Sequence, residues 1–274
     1  MYITLLLLSS AISGFSFYAI RGQIMYFLKQ KNVVQRNYAG EQVLGSGGLL
    51  ILIPCLLAVL PSFLISPSPL LPLFVIIILS LAFCGMLDDL LGDSSSKGLA
   101  DHIKNFLKGS FSTGILKAIT GVLIGFLLAW LRNNGWILLI LDTFVFAFSV
   151  NTVNLMDLRP GRAIKSFAVI VFLIAVFSGF SQMQYVMPII TVLMFYIRGE
   201  MEEVYMLGDI GSNLLGGILG FYGVLVLTPA IKGILLFLLL FLHLFTEFHS
   251  LSASIENIPL LKKIDMLGRK QEER

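Results

Sequence analysis

Residues 69–87 read PLLPLFVIIILSLAFCGML and are followed immediately by Asp88 and Asp89. The stretch carries no charged side chain along its whole length. A helix that crosses the hydrocarbon core of a bilayer needs about 20 mainly apolar residues. The sequence therefore predicts a transmembrane helix over 69–87 with two adjacent carboxylates at one end.

Eight other stretches have the same apolar character, and composition supports the same fold class. Of the 274 residues, 57% are hydrophobic and 13% are charged, whereas a soluble domain carries roughly 25% charged residues. A net charge of +3 without a long basic tract gives no indication of nucleic-acid binding. We predict an all-α membrane protein, a single integral membrane domain over 1–274 with about nine transmembrane helices. The other eight predicted spans are roughly 2–20, 44–66, 113–131, 136–153, 164–181, 183–198, 211–228 and 231–249.

The basic residues predict how the bundle is oriented. With nine spans the loops form two alternating sets, and of 19 Lys and Arg residues only Arg132 and Lys232 fall in the set that includes the N-terminus. Short loops rich in Lys and Arg stay on the cytoplasmic side. We therefore expect the N-terminus outside and the C-terminus in the cytoplasm. The longer, chemically rich loops of this multi-pass protein then face the cytoplasm.

The first polar motif is the Asp88-Asp89 pair that ends the 69–87 stretch. Ionised groups at membrane depth are costly and are usually functional. Two adjacent carboxylates repel each other, so one should have a raised pKa unless a cation is bound. Mg²⁺ is commonly held by one or two carboxylates together with substrate phosphates. The pair predicts a divalent-cation or acid–base site, and the alternative is a solvated helix end.

The second motif follows the 136–153 stretch. Asn151, Asn154 and Asp157 are spaced by three residues and fall along one stripe of a helix. Arg159 and Arg162 come directly after them, where their guanidinium groups could clamp a phosphate. The motif indicates a site for metal, phosphate or sugar. The alternative is interhelical hydrogen bonding by the amides and anchoring at the interface by the arginines.

The third and fourth motifs are richer in glycine. Gly208-Asp209-Ile-Gly-Ser-Asn precedes the 211–228 stretch, where Asp209 is either a site residue or an ordinary helix N-cap. The segment 36–48 ends in Gly47 and Gly48. Their backbone N–H groups could approach a phosphate, or the glycines could form a flexible entry to a helix.

A run of lysines follows the Asp88-Asp89 pair. Lys97, Lys104, Lys108 and Lys117 alternate with apolar residues and predict a short interfacial helix with a basic face. Such a face would contact anionic headgroups or, at Lys97, a lipid phosphate near the site.

In this order, the four motifs resemble those of the polyprenyl-phosphate N-acetylhexosamine-1-phosphate transferases (glycosyltransferase family 4), the family of the phospho-N-acetylmuramoyl-pentapeptide transferase. The resemblance covers about residues 30–225. It implies a multi-pass helical bundle in the bacterial plasma membrane with a cytoplasmic active site, and a homodimer. It also implies an Mg²⁺-dependent reaction, with Mn²⁺ as a possible substitute. In that reaction a sugar-1-phosphate passes from a UDP-sugar to undecaprenyl phosphate and UMP is released. The UDP-sugar would be of the UDP-GlcNAc or UDP-MurNAc-pentapeptide type.

The resemblance also implies roles for individual residues. Asp88 and Asp89 match the paired catalytic aspartates, and Asp157 is the third catalytic carboxylate. Asp209 matches the aspartate that ligates magnesium, together with Asp88. The substrate-binding residues implied by the stripe, the arginines, the lysine run and the glycines are Asn151, Asn154, Arg159, Arg162, Lys97, Gly47 and Gly48.

The chain departs from the family pattern in three respects. Members commonly continue the stripe as Asp-Gly-x-Asp-Gly, but Pro160 stands here at the second aspartate. The chain has no late histidine cluster and no tenth apolar stretch. These departures leave two alternatives open. One is a catalytically silent relative that binds polyprenyl phosphate or scaffolds an envelope-assembly complex. The other is a small transporter, against which stands the near-absence of ionisable residues inside the spans.

Overall fold

The computed structural model describes residues 2–91, 113–132 and 135–269, and within these ranges the chain is almost entirely helical. Six helices are long and apolar enough to cross a membrane. They are α1 (Tyr2–Gln30), α3 (Leu70–Leu91), α4 (Thr113–Arg132), α5 (Trp136–Met156), α8 (Gly208–Val226) and α9 (Pro229–Phe248). The prediction of an all-α membrane protein is thus confirmed at this level.

The other helices are shorter. They are α2 (Leu49–Ile65), α6 (Arg162–Phe177), α7 (Met187–Met201), α10 (Leu251–Asn257) and α11 (Pro259–Met266), with a 3₁₀ turn at Met183–Tyr185. Each of the nine predicted spans coincides with one of the helices α1–α9, but α2, α6 and α7 have only 17, 16 and 15 residues. The number nine and the orientation therefore stay predictions.

Two features of the cytoplasmic-side prediction differ from the structure. The loop predicted to begin at residue 21 is helical as far as Gln30, because α1 continues well past the predicted span. A two-stranded antiparallel ribbon then follows, formed by β1 (Val34–Arg36) and β2 (Gln42–Leu44). Leu44 continues this pairing through a bridge to Tyr205. The ribbon thereby joins the segment before α2 to the segment before α8.

Helix α8 forms the centre of the bundle and is buried along nearly its whole length. It packs most extensively against α5 and α3. A Cβ atom on Gly216 would lie 2.5 Å from the Cα of Val150, and one on Gly220 would lie 3.0 Å from the Cα of Phe146. In lipid, helix association depends on such close packing because apolar burial gives little driving force. The glycines of α8 therefore allow α5 to approach at backbone distance.

The end of the bundle away from the polar motifs contains a buried ion pair. Lys232 donates a hydrogen bond of 2.6 Å to Asp142, and both side chains are almost fully buried. The Arg132 Nε lies 3.9 Å from the other oxygen of Asp142. The two basic residues that the sequence places in the N-terminal set of loops thus share one carboxylate.

Candidate functional site

Asp89 holds the N-terminus of α8. Its Oδ1 accepts a hydrogen bond of 2.8 Å from the backbone N–H of Asp209, and its Oδ2 accepts one of 3.4 Å from that of Ile210. The residue before the helix is Leu207, whose side chain cannot accept a hydrogen bond. The first turn of a helix has N–H groups without intrahelical partners. Asp89 therefore caps α8 from another helix.

Two side chains that the sequence analysis did not single out complete the surroundings of Asp89. Ser46 donates to Oδ2 at 3.0 Å, and Gln35 donates to Oδ1 at 3.1 Å. Both come from the segment that carries the β-ribbon, so Asp89 joins α3, α8 and the ribbon. The Gly208 φ of +67° fits this tight junction, since a Cβ at Gly208 would lie 2.9 Å from Asp89.

Asp88 and Asp209 converge on one cation, the ammonium group of Lys117. The Lys117 Nζ lies 2.5 Å from an oxygen of Asp88 and 2.9 Å from an oxygen of Asp209. The lysine side chain is only 15% exposed. This placement corrects the prediction that Lys117 belongs to a basic interfacial face. Its position near the start of the apolar helix α4 was the available signal, because a lysine there needs a partner.

The asparagine stripe reaches the same region through Ser212. The Ser212 hydroxyl donates to the Asn154 side-chain carbonyl at 2.9 Å, which joins α5 to the first turns of α8. Asn151, one turn earlier, is exposed. Asp157 directly follows the last residue of α5 and has left helical geometry, with φ −79° and ψ 48°.

Asp157 lies in a strongly acidic environment. Burial raises the pKa of Asp157 well above its usual value, and the charges of neighbouring carboxylates raise the pKa further. These neighbours are Glu200, Asp209 and Asp89. A carboxyl group whose pKa is raised by burial and by neighbouring charges is an indication of a functional site. Asp157, Asp89 and Asp209 are thus electrostatically coupled although they come from three separate motifs.

Glu200 is a buried carboxylate that the sequence analysis did not include among the site residues. One of its oxygens accepts a hydrogen bond of 2.8 Å from the backbone N–H of Gly161, whose φ is +70°. Glu200 thereby holds the turn that follows Asp157. Gly161 stands one residue after Pro160, where the family pattern has its second aspartate, so a carboxylate reaches this turn from α7 instead.

Gly47 and Gly48 do not present their backbone N–H groups to a ligand. The two groups donate to the carbonyls of Met206 and Leu207 at 2.9 Å each. A Cβ on Gly48 would lie 2.2 Å from the backbone nitrogen of Gly211. Only glycine fits at these positions, because the start of α2 packs directly against the segment entering α8. The predicted phosphate contact is wrong because both N–H groups already donate to carbonyls.

The two arginines after Asp157 contact the C-terminal segment. Arg162 is buried and donates to both oxygens of Asp265 and to Ser252, so it has no free face for a phosphate. Arg159 donates to Glu256 at 3.3 Å, and its guanidinium lies over the ring of Tyr38 at 4.3 Å. Arg162 is therefore not retained as a phosphate ligand, while Arg159 stays at the edge of the cleft. The predicted phosphate contact of Lys97 lies outside the described residues.

The donor set permits a magnesium ion at one position. Within residues 2–91, 113–132 and 135–269, no three His, Cys, Asp or Glu side chains are grouped closely enough to hold a metal. Asp88 and Asp209 nevertheless direct one oxygen each to the same cation. Mg²⁺ needs only one or two carboxylates when substrate phosphates supply further oxygens. The pair would supply these two carboxylates, and a magnesium ion between them would have to displace the Lys117 ammonium that occupies this position.

The chain matches no model of a known protein family, and it matches no curated protein sequence.

Proposed function

We propose that this protein is a magnesium-dependent phosphoglycosyl transferase. It would move a sugar-1-phosphate from a UDP-sugar to undecaprenyl phosphate, releasing UMP, at the cytoplasmic face of a bacterial plasma membrane. The observation that carries the proposal is the convergence of Asp88 and Asp209 on one cation although they are far apart in sequence. The charge of Asp209 contributes to the raised pKa of Asp157, after burial and the charge of Glu200. Such a convergence is what transfer between two phosphate-bearing anions requires.

The two adjacent aspartates would have different roles, because they make different contacts. Both oxygens of Asp89 already accept backbone and side-chain hydrogen bonds, so Asp89 positions α8. Asp88 and Asp209 would hold Mg²⁺, which supplies a positive charge against the pyrophosphate oxygens. Lys117, whose ammonium occupies the position between these carboxylates, would move aside to admit the metal and could then face a substrate phosphate.

The transfer itself is balanced without an added base. An oxygen of the lipid phosphate forms a bond to the β-phosphorus of the UDP-sugar. The bond from that phosphorus to the bridging oxygen breaks, and UMP leaves with the electron pair. Phosphate monoesters are largely ionised at neutral pH, so the protein has mainly to position two anions and offset their repulsion.

Release of UMP by the purified protein tests the proposal. The protein in detergent or nanodiscs is incubated with undecaprenyl phosphate, Mg²⁺ and a panel of UDP-sugars. We expect release with at least one donor, dependent on the lipid and abolished by EDTA, and restored by Mg²⁺ or Mn²⁺. Asp88→Asn and Asp209→Asn should each lower the rate by about 100-fold or more. Glu247→Gln, at an exposed position on α9, should leave it unchanged.

The outcome also decides between the two leading functions. No release with any donor, from protein shown to be folded, would refute the transferase. The silent relative is favoured by the Lys117 ion pairs, because they neutralise both carboxylates without a metal. It predicts that undecaprenyl phosphate still binds and that Asp209→Asn leaves the cellular role unchanged.

A further inference from the structure

The C-terminal segment after α9 is tied to the turn that follows Asp157. Arg162 donates to the two oxygens of Asp265 at 2.8 and 3.0 Å, and Arg269 donates to the same carboxylate at 2.7 Å. Burial alone would raise the pKa of Asp265. The hydrogen bonds and charge of Arg162, together with the charge of Arg269, outweigh burial and lower the pKa. Asp265 therefore stays ionised at neutral pH and fixes one side of α11.

Backbone contacts fix the end of α11 as well. Lys165 donates to the carbonyls of Ile264, Asp265 and Leu267 at 3.0, 2.8 and 2.8 Å. The last carbonyls of a helix have no intrahelical partner, so a lysine there satisfies them. Arg269 adds a hydrogen bond of 3.0 Å to the carbonyl of Pro160. The side of α11 that faces the protein is thus set by charged contacts.

One side of α11, centred about 90° around the helix from Asp265, is apolar and uncovered. Leu260 is 67% exposed, and Leu261 and Ile264 are 41% and 48% exposed. At 3.6 residues per turn these three side chains occupy about 100° of the helix circumference. Lys262 and Lys263 are also exposed and lie outside this arc. A short helix with an apolar stripe and adjacent lysines has the character of an interfacial helix.

The position of α11 in the chain favours a lipid surface as its partner. Helix α9 is a candidate membrane span and ends at Phe248, which is 81% exposed. Helix α10 begins at Leu251, three residues after α9 ends, so the segment starts at the membrane surface that α9 reaches. Two lysines beside the apolar stripe are complementary to anionic headgroups. The same lysines would repel those of a second copy.

We propose that α11 lies on the membrane surface at which α9 ends. Its Leu260, Leu261 and Ile264 side chains enter the boundary of an anionic lipid layer, and Lys262 and Lys263 contact the headgroups. Asp265, which follows Leu261 around the helix, holds Arg162 on the protein side. The segment 251–269 is therefore a latch between the lipid surface and the turn after Asp157. This inference does not depend on the transferase activity.

Spin labels test the proposal in the intact protein. Leu260→Cys and, as the matched control, Asn257→Cys are labelled in nanodiscs of phosphatidylcholine with and without phosphatidylglycerol. Cys55 and Cys84 are buried and are replaced by alanine in both variants. For each spin label, the rate of collision with molecular oxygen, which is concentrated in lipid, is compared with the rate of collision with a water-soluble nickel chelate.

The label at residue 260 should favour oxygen several-fold more than the label at residue 257, and the difference should be larger in anionic nanodiscs. Changing Lys262 and Lys263 to glutamine should remove the dependence on anionic lipid. A label at residue 260 that meets the nickel chelate as freely as the label at 257 would overturn the proposal. Dipolar broadening between two copies, with both reagents excluded, would also overturn it, because a second chain would then cover the stripe.

Discussion

Replacing Asp89 by alanine should destabilise the protein, whereas the same change at Asp88 should not. Asp89→Ala removes the acceptor for two N–H groups in the first turn of α8 and for two side chains. Loss of a helix cap costs about 0.5–2 kcal/mol, and each buried donor left unpaired costs about 1–3 kcal/mol. Ser46 and Gln35 can turn to other partners, and removing a half-buried charge offsets part of the cost. The expected loss of stability is therefore about 3 kcal/mol.

Asp88→Ala is the matched control because it changes the neighbouring residue on the same helix. Lys117 keeps its ion pair with Asp209 at 2.9 Å when Asp88 is removed. Because the ammonium keeps one counter-charge, the larger cost of an unpaired buried charge does not arise, and the loss of one hydrogen bond should cost about 1 kcal/mol. The two variants thus distinguish a loss of stability from a loss of activity. Asp88→Ala should retain most of its stability while its rate of UMP release falls.

The two buried cysteines provide the assay. Cys55 and Cys84 are free and buried, so a thiol-reactive maleimide dye gains fluorescence only when the bundle opens. At a fixed heating rate, a loss of about 3 kcal/mol should lower the midpoint by about 10 °C for Asp89→Ala. The reasoning fails if Asp89→Ala melts with the unchanged protein, or if Asp88→Ala loses as much.

Two further predictions use the same thermal assay. Gly48→Ala places a Cβ 2.2 Å from the backbone of Gly211 and should cost about 1–3 kcal/mol. Gly233→Ala, with open space around the new methyl group, should be neutral or slightly stabilising; equal melting of the two variants would contradict the packing argument. Asp142→Asn leaves Lys232 buried without its counter-charge and should cost about 3–5 kcal/mol. The double change Asp142→Leu with Lys232→Met should recover most of this loss, and a double variant no more stable than Asp142→Asn would show that the charge is not the cause.

The helices were predictable because a bilayer imposes a simple rule on the sequence. A span must be apolar over about 20 residues, and each of the nine apolar stretches is helical in the structure. The β-ribbon was not predictable because each strand has three residues and no repeated alternation. The extension of α1 to Gln30 was missed because a helix can continue into water after the apolar stretch ends.

The sequence predicted several of the residues that meet at the site, but it did not predict which contacts each of them makes. Sequence spacing predicted that Asn151, Asn154 and Asp157 share one helix side, and the structure places the first two in α5 and Asp157 directly after its last residue. It could not show that Asp89 caps α8, because Asp89 and its partner Asp209 are 120 residues apart in the sequence. Glycines were equally ambiguous, because backbone N–H groups that could meet a phosphate can also meet a neighbouring carbonyl.

Two carboxylates occur together at this point of the chain because each of them makes a different contact. Successive residues on a helix point about 100° apart, so Asp89 can face the N–H groups of α8 while Asp88 faces Lys117 on α4. The first contact fixes where α8 begins, and Asp209 lies in its first turn. Fixing that turn brings the Asp209 carboxylate to the same ammonium as Asp88. The structural aspartate therefore sets the geometry of the pair that the proposed transfer would use, and neither residue can take over the contacts of the other.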